Sequence, residues 1–167
     1  SYLGRERMNV KKKRGMFDVG AKPDSYRTAR ALAVLNINSN TAVLIRRGKS
    51  PKGNIVEAAK IAATSGAKKT SDLIPYCHPI PIDHIEVQVS IKSKAIEIDV
   101  KVKSIWKTGV EMEALSGACI GALTIYDMLK PVDDSLFISS VRLVEKSGGM
   151  GGFATKQGNK IRAGVIV

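Results

Sequence analysis

Alternation of apolar and polar residues predicts two strands in the middle of the chain. Apolar side chains recur at every second position from Ile85 to Ile91 and again from Ile96 to Val102, with polar residues between them. A period of two buries one face of a strand and leaves the other in water, as in an antiparallel sheet covered by helices on one side. The short polar stretch Lys92-Ser93-Lys94 predicts the turn between them.

The remaining periodicity predicts the other elements. The runs 29–37 and 40–47 are rich in β-forming residues and flank Asn38-Ser39, which predicts an N-terminal hairpin. Further elements are expected as a helix after Ile55, a short helix over 70–73, and strands over 137–144 and 161–167.

The stretch 107–130 predicts one long helix. Thr108 and Glu111 have the spacing of a capping box, and Pro131 cannot continue a helix, so both ends are marked. The interior is mostly small, and each of its two glycines costs about 1 kcal/mol relative to alanine. A neighbouring helix or sheet is therefore expected to approach the helix backbone closely.

Together these elements predict an α+β fold. After the first hairpin strand the order is β-α-β-β-α-β, the ferredoxin-like arrangement, with an antiparallel sheet and helices on one face. Residues 1–16 are expected to form a mobile basic arm, and residues 17–167 a single catalytic domain. A chain of 167 residues is long enough to bury a substantial core.

The charge of the chain narrows the class of ligands it is expected to bind. The net charge is +12, and nine of the 27 basic residues fall in the first thirty positions, so an anion is expected as partner: nucleic acid, a membrane surface or a phosphorylated small molecule. No run approaches the roughly 18 apolar residues of a membrane span, and the N-terminus lacks the apolar core of a signal peptide. A cytoplasmic location and free thiols at Cys77 and Cys119 are therefore expected.

Asp127 and Lys130 lie three residues apart in the last turn of the predicted long helix. One interpretation is an exposed ion pair near a helix end. The other is a proton-transfer pair whose pKa values burial would bring toward neutrality. The spacing alone leaves both open.

The segment 73–81 contains three prolines within seven residues, which predicts a stiff loop that fixes Cys77 and His78 in direction. A purely structural connector would have the same composition. A metal site built from Cys77, His78, His84 and Cys119 matches no closed zinc spacing, so no metal is assigned.

Three lysine-bearing turns are candidates for phosphate binding: 49–53, 68–70 and 146–152. The P-loop spacing is absent from all of them. A nucleic-acid module gripping backbone phosphates is the alternative, although aromatic residues make up only 5% of the chain and no RNA-stacking signature is present.

Several long motifs resemble those of the MoaC family of molybdenum cofactor biosynthesis, the cyclic pyranopterin monophosphate synthases. The resemblance runs from Phe17 to Gly149, and its motifs are Lys22-Pro23-Asp24, Arg27-Thr28-Ala29-Arg30-Ala31, Pro51-Lys52-Gly53-Asn54, Ala67-Lys68-Lys69-Thr70, Leu73 to Pro79, Lys107 to Leu115, Ala122 to Met128 and Arg142 to Gly149.

The resemblance implies an enzyme that converts 3′,8-cyclo-7,8-dihydro-GTP to cyclic pyranopterin monophosphate and diphosphate. It implies a homohexamer, a trimer of dimers with sites between subunits, and neither nucleic-acid nor membrane partners. No resident cofactor is implied, although Mg²⁺ could accompany the triphosphate. The implied catalytic residues are Asp127 and Lys130, and the implied substrate contacts are Tyr76, Cys77, His78, Met112, Glu113, Lys52, Lys68 and Lys146.

Helix geometry adds one expectation, and the chain departs from the family at two positions. Glu113 and Asp127 are fourteen residues apart, roughly 21 Å along a helix, so one compact substrate would touch both only across a subunit interface. Trp106 stands where members commonly have glycine. Its bulky ring would leave less room for another group to come close to the backbone, or would simply cover the end of the sheet. Met150 stands where they often have lysine, so one anion contact is expected to be missing.

Overall fold

A computed structural model describes residues 14–149 and 152–154 as an α+β fold, which confirms the predicted class. The strands are β1 (Ser25–Asn36), β2 (His84–Ile91), β3 (Ala95–Trp106), β4 (Phe137–Ser147) and the two-residue β5 (Phe153–Ala154). The helices are α1 (Ser39–Arg46), α2 (Ile55–Lys68), α3 (Thr70–Leu73) and α4 (Glu111–Leu129). All pairings in the sheet are antiparallel, in the order β2-β3-β1-β4-β5.

The core lies between one face of this sheet and the helices α2 and α4. On β1 the inward positions are mostly alanine, and on β3 they are β-branched, so small and large side chains meet across the strand pair, as Ala31 does with Val100. On the opposite face β2 and β3 are mostly polar, and Asp99 of β3 pairs there with Arg30 of β1. The alternation predicted for β2 and β3 is thus confirmed, with one face buried.

Helices α2 and α4 pack antiparallel at very short range, as the small residues of α4 predicted. A Cβ added at Gly117 would lie 2.9 Å from the carbonyl oxygen of Ala63 and 3.1 Å from a methyl group of Val100. One added at Gly121 would lie 3.0 Å from a methyl group of Ile98. The glycines therefore allow α4 to approach both α2 and the sheet of its own chain.

The predicted N-terminal hairpin is wrong. The segment expected as its second strand forms α1 instead, and the side-chain oxygen of Asn38 accepts a 2.8 Å hydrogen bond from the backbone N–H of Thr41. Asn38 is an N-cap, since it satisfies one of the donors that a helix start leaves without a partner. The pair Asn38-Ser39 thus begins a helix rather than turning between strands.

The start predicted for the long helix is also wrong. Helix α4 begins at Glu111, with Val110 as an N-cap that makes no side-chain capping bond, and it ends at Leu129 as expected before Pro131. The arm up to residue 13, the departure at Met150 and the strand predicted over 161–167 lie outside the described residues. Within the described ranges, no helix is both long enough and apolar enough to cross a bilayer.

Candidate active site

Asp127 forms a cluster with two lysines at the C-terminal end of α4. Its Oδ2 lies 2.8 Å from Nζ of Lys52, and its Oδ1 lies 2.8 Å from Nζ of Lys130. We call these three residues the α4 C-terminal cluster. Two of its members are one helical turn apart, whereas Lys52 is 75 residues away in sequence.

The antiparallel packing of the two long helices brings Lys52 to Asp127. Lys52 lies in the turn before α2, where Gly53 has a positive φ of 95° that glycine adopts without strain. Asn54 then caps α2 by accepting from the backbone N–H groups of Val56 and Glu57. Because α2 starts where α4 ends, this turn lies beside the last turn of α4.

The electrostatics of this cluster favour full ionisation. The two lysines, Lys130 foremost, lower the pKa of Asp127 to about 2, and Asp127 in turn raises the pKa of Lys130. The side chain of Asp127 is 56% exposed. The interpretation that burial brings the pKa values of Asp127 and Lys130 toward neutrality is therefore wrong in the single chain. The alternative, an exposed ion pair between the two residues, is confirmed.

Glu113, near the start of α4, has the buried position instead. Its side chain is 3% exposed, and its Oε2 has no hydrogen-bond partner among the described residues. Loss of hydration raises the pKa of this carboxyl to about 7, with a smaller contribution from the negative charge of Glu111. A group with such a pKa exchanges protons readily at neutral pH.

The proline-rich loop brings Cys77 to the same end of α4. Burial raises the pKa of the Cys77 thiol, and the charge of Glu113 raises it further, so the two side chains are neighbours. His78 is half-buried and Tyr76 is exposed. Met112, the residue before Glu113, is exposed as well.

Lys146 joins this end of the molecule from the end of β4. Its Nζ lies 2.9 Å from Oε1 of Glu111, and both side chains are largely covered. Glu111 was expected to complete a capping box with Thr108, but it instead forms an ion pair with a residue distant in sequence. We call Cys77, Glu111, Glu113 and Lys146 the α4 N-terminal cluster.

Arg27 was not predicted as a site residue, although a signal for it exists. It lies on β1 in line with inward-facing alanines, where a guanidinium is unexpected. Its Nε is buried without a partner among the described residues, and a Cβ at Gly149 would collide with the guanidinium. A charged residue on a buried strand face is the pattern that could have identified it.

The predicted site residues thus divide between two places. Lys68 is the exposed last residue of α2 and lies toward the N-terminal end of α4, because the helices are antiparallel. Trp106 is the half-buried last residue of β3, at the end of the sheet. Within the described part of the chain, no group of three or more His, Cys, Asp or Glu side chains is arranged to hold a metal ion.

Comparison with known proteins assigns the family. The MoaC family matches residues 16–149. A relative from Thermomicrobium roseum, named cyclic pyranopterin monophosphate synthase, is 39% identical over 88% of this chain and 90% of its own length. Relatives of the same name from Peptoclostridium acidaminophilum and Deinococcus radiodurans are each 43% identical over 82% of this chain, covering 87% and 82% of their own lengths. The chain therefore belongs to the MoaC family.

Proposed function

We propose that this protein is a cyclic pyranopterin monophosphate synthase of molybdenum cofactor biosynthesis. It converts 3′,8-cyclo-7,8-dihydro-GTP to cyclic pyranopterin monophosphate and releases diphosphate. The observation that carries the proposal is the family match over residues 16–149, which spans every member of both clusters. The relatives bear the name of this activity.

The two clusters offer the chemistry that this conversion needs. The reaction opens an imidazole ring, forms a pyran ring and closes a cyclic phosphate, so protons move repeatedly. Glu113, with a pKa of about 7, is suited to give and take protons at neutral pH. Asp127 and Lys130 are the proposed proton-transfer pair. In the free chain the two lysines hold Asp127 ionised with a pKa of about 2, and phosphates that bind these lysines would raise that pKa toward neutrality.

Cations at both ends of α4 bind the phosphates. In this proposal Lys52, Lys68 and Lys146 hold the triphosphate as point charges and ease the departure of diphosphate. The loop residues Tyr76, Cys77 and His78, together with Met112, contact the ring system. No resident cofactor takes part, so dialysis against a chelator is expected to leave turnover intact. Loss of turnover that Mg²⁺ restores would contradict a metal-free reaction and would assign the metal to the triphosphate.

We further propose that each site is shared between two subunits of a ferredoxin-like hexamer, a trimer of dimers. Glu113 and Asp127 are fourteen residues apart on α4, roughly 21 Å, so one compact substrate reaches both only across an interface. Exposed apolar side chains on α2 and α4, Ile61, Leu123 and Tyr126, support contact between subunits. The glycines of α4 do not serve this contact, because α2 and β3 already fill the space beside them.

The activity is tested by incubating the purified protein with the cyclised nucleotide and following diphosphate release and pterin formation. Turnover by the natural protein and its loss in Asp127→Asn are the expected results. Glu86→Gln, on the exposed face of β2, is the control for loss of one negative charge. Absence of turnover, combined with oligonucleotide binding that weakens steeply with salt, would favour the nucleic-acid alternative.

The shared site is tested by mixing inactive subunits. Glu113→Ala and Asp127→Ala proteins are dissociated, combined in equal amounts and reassembled. If each site takes one residue from each subunit, random pairing leaves roughly a quarter of the sites intact. Recovery of about that share of activity is expected, and no recovery in a properly reassembled mixture would refute shared sites.

A further inference from the structure

Lys107 connects three segments at the N-terminal end of α4. Its Nζ donates to the carbonyl oxygens of Gly20, at 3.1 Å, and Lys22, at 3.2 Å. Its own carbonyl oxygen accepts a 3.2 Å hydrogen bond from Nη2 of Arg27. The residue thus joins the segment 18–24 and the start of β1 to the chain that leads into α4.

The segment 18–24 depends on these bonds. Its own hydrogen bonds are local, from the backbone N–H of Gly20 to Asp18 and from that of Lys22 to the carbonyl of Val19. Among the described residues, the two bonds from Lys107 are the only hydrogen bonds that tie this segment to another part of the chain. Most of the segment is exposed, so little packing replaces them.

The segment carries a cation, Lys22, whose backbone is bonded to Lys107 ahead of α4. Lys22 is exposed and has no acidic partner among the described residues. Its backbone is held against Lys107, four positions before Glu111 of the α4 N-terminal cluster. Arg27, bonded to the same residue, adds a half-buried guanidinium whose buried Nε has no partner in the described chain. Lys107 therefore holds two positively charged residues, Lys22 and Arg27, that could attract an anionic ligand.

We propose that Lys107 is a positioning residue, which clamps the 18–24 segment so that the ammonium group of Lys22 meets the phosphates of the substrate. The proposal rests on the proposed function for the identity of that substrate. The ammonium group of Lys107 donates its hydrogen bonds to carbonyl oxygens of the protein, so Lys107 acts on the substrate only through Lys22. A lysine is suited to this task because its three donors can serve several acceptors at once.

Steady-state kinetics with the cyclised nucleotide test the clamp. Lys107→Met keeps the length of the side chain and removes its donors, and it is expected to raise KM about ten-fold with kcat changed less than about two-fold. Lys107→Arg, whose guanidinium can donate to both carbonyls, is expected to restore most of the affinity. Lys94→Met, at the opposite end of the sheet, should behave as the natural protein does.

Hydrogen exchange gives a second, substrate-free measurement. Backbone amides of residues 20–24 are expected to exchange faster in Lys107→Met than in the natural protein, with exchange in α4 unchanged. If Lys107→Met does not fold, Lys107→Ala, which also lacks the donors, takes its place. Unchanged exchange in the folded variant would overturn the clamp whether or not the enzyme activity is established.

The route through Lys22 is tested by combining substitutions. If Lys107 acts by placing Lys22, the KM of the double variant Lys22→Met/Lys107→Met should not exceed that of the weaker-binding single variant. Multiplying effects, an unchanged KM in Lys107→Met, or a loss confined to kcat would each overturn the proposal. A natural protein without turnover would instead refute the proposed function and leave the exchange measurement to decide on the clamp.

Discussion

Replacing Glu113 by glutamine should change how stability depends on pH. The pKa of this carboxyl is about 7 in the folded protein, against an ordinary value of 4.5. Because the folded state binds the proton more tightly, the contribution of this group is complete below pH 4.5 and is lost as pH rises through about 7. The difference between the two pKa values corresponds to about 3 kcal/mol in the free energy of unfolding.

Urea denaturation at fixed protein concentration measures this effect. The free energy of unfolding is determined for the natural protein and for Glu113→Gln at several pH values between about 4 and 8. The difference between the two proteins cancels the other titrating groups, and the advantage of the natural protein should fall by about 3 kcal/mol across this range. Glu86→Gln, on the exposed face of β2, controls for the loss of one negative charge.

A difference that stays flat across the range would refute the argument. It would mean that Glu113 is solvated or paired in the assembled protein, so that its proton is held no more tightly than in the unfolded chain. The role proposed for Glu113 in proton transfer would then lose its physical basis. A slope of the opposite sign would indicate a cation beside the carboxylate.

Three further outcomes follow from the structure. Gly117→Ala should lower the free energy of unfolding by about 1–3 kcal/mol, because the added Cβ would press on a carbonyl of α2. Urea denaturation measures the effect, with Ser116→Ala as the control, and equal midpoints for the two variants would contradict the packing argument. Asp133→Ala should cost about 1–3 kcal/mol near neutral pH, because the buried carboxylate accepts from the backbone N–H of Asn38. The pKa of Asp133 is lowered, so this stabilisation is present above its unfolded pKa and is lost as pH falls through the folded one. If the free-energy cost of Asp133→Ala did not become smaller in acid, the argument would be contradicted. Asp127→Asn should reduce turnover at least about a hundred-fold while the melting temperature stays unchanged, and normal turnover would exclude it from the chemistry.

The strands were predictable because their burial is regular. The alternation over β2 and β3 fixes which face meets the helices, and the structure follows it residue by residue. Helix α1 was missed because Asn38-Ser39 suits both a turn and an N-cap, and the β-forming residues after it favoured the turn. Local propensity could not decide between the two, since the burial of Thr41 and Ala42 depends on distant packing.

The ion pair of Asp127 and Lys130 was predictable from their spacing on one helix, whereas the environments of the other candidate residues were less so. The ion pairs Lys52–Asp127 and Lys146–Glu111 join segments distant in sequence, and only the packed helices and sheet bring them together. The burial of Glu113 was not predicted, although the chain carries a signal for it. It lies four and eight residues before Gly117 and Gly121, on the same face of α4, and that face meets the core.

The position of the two clusters at opposite ends of α4 restricts how the length of this helix can change. Deleting one residue from its middle would shorten it by about 1.5 Å and rotate one end by about 100° relative to the other. Glu113 or Asp127 would then point away from its partners, even if the small residues between them packed as before. Homologous sequences should therefore exchange small residues within this helix and show no insertions or deletions between these two positions.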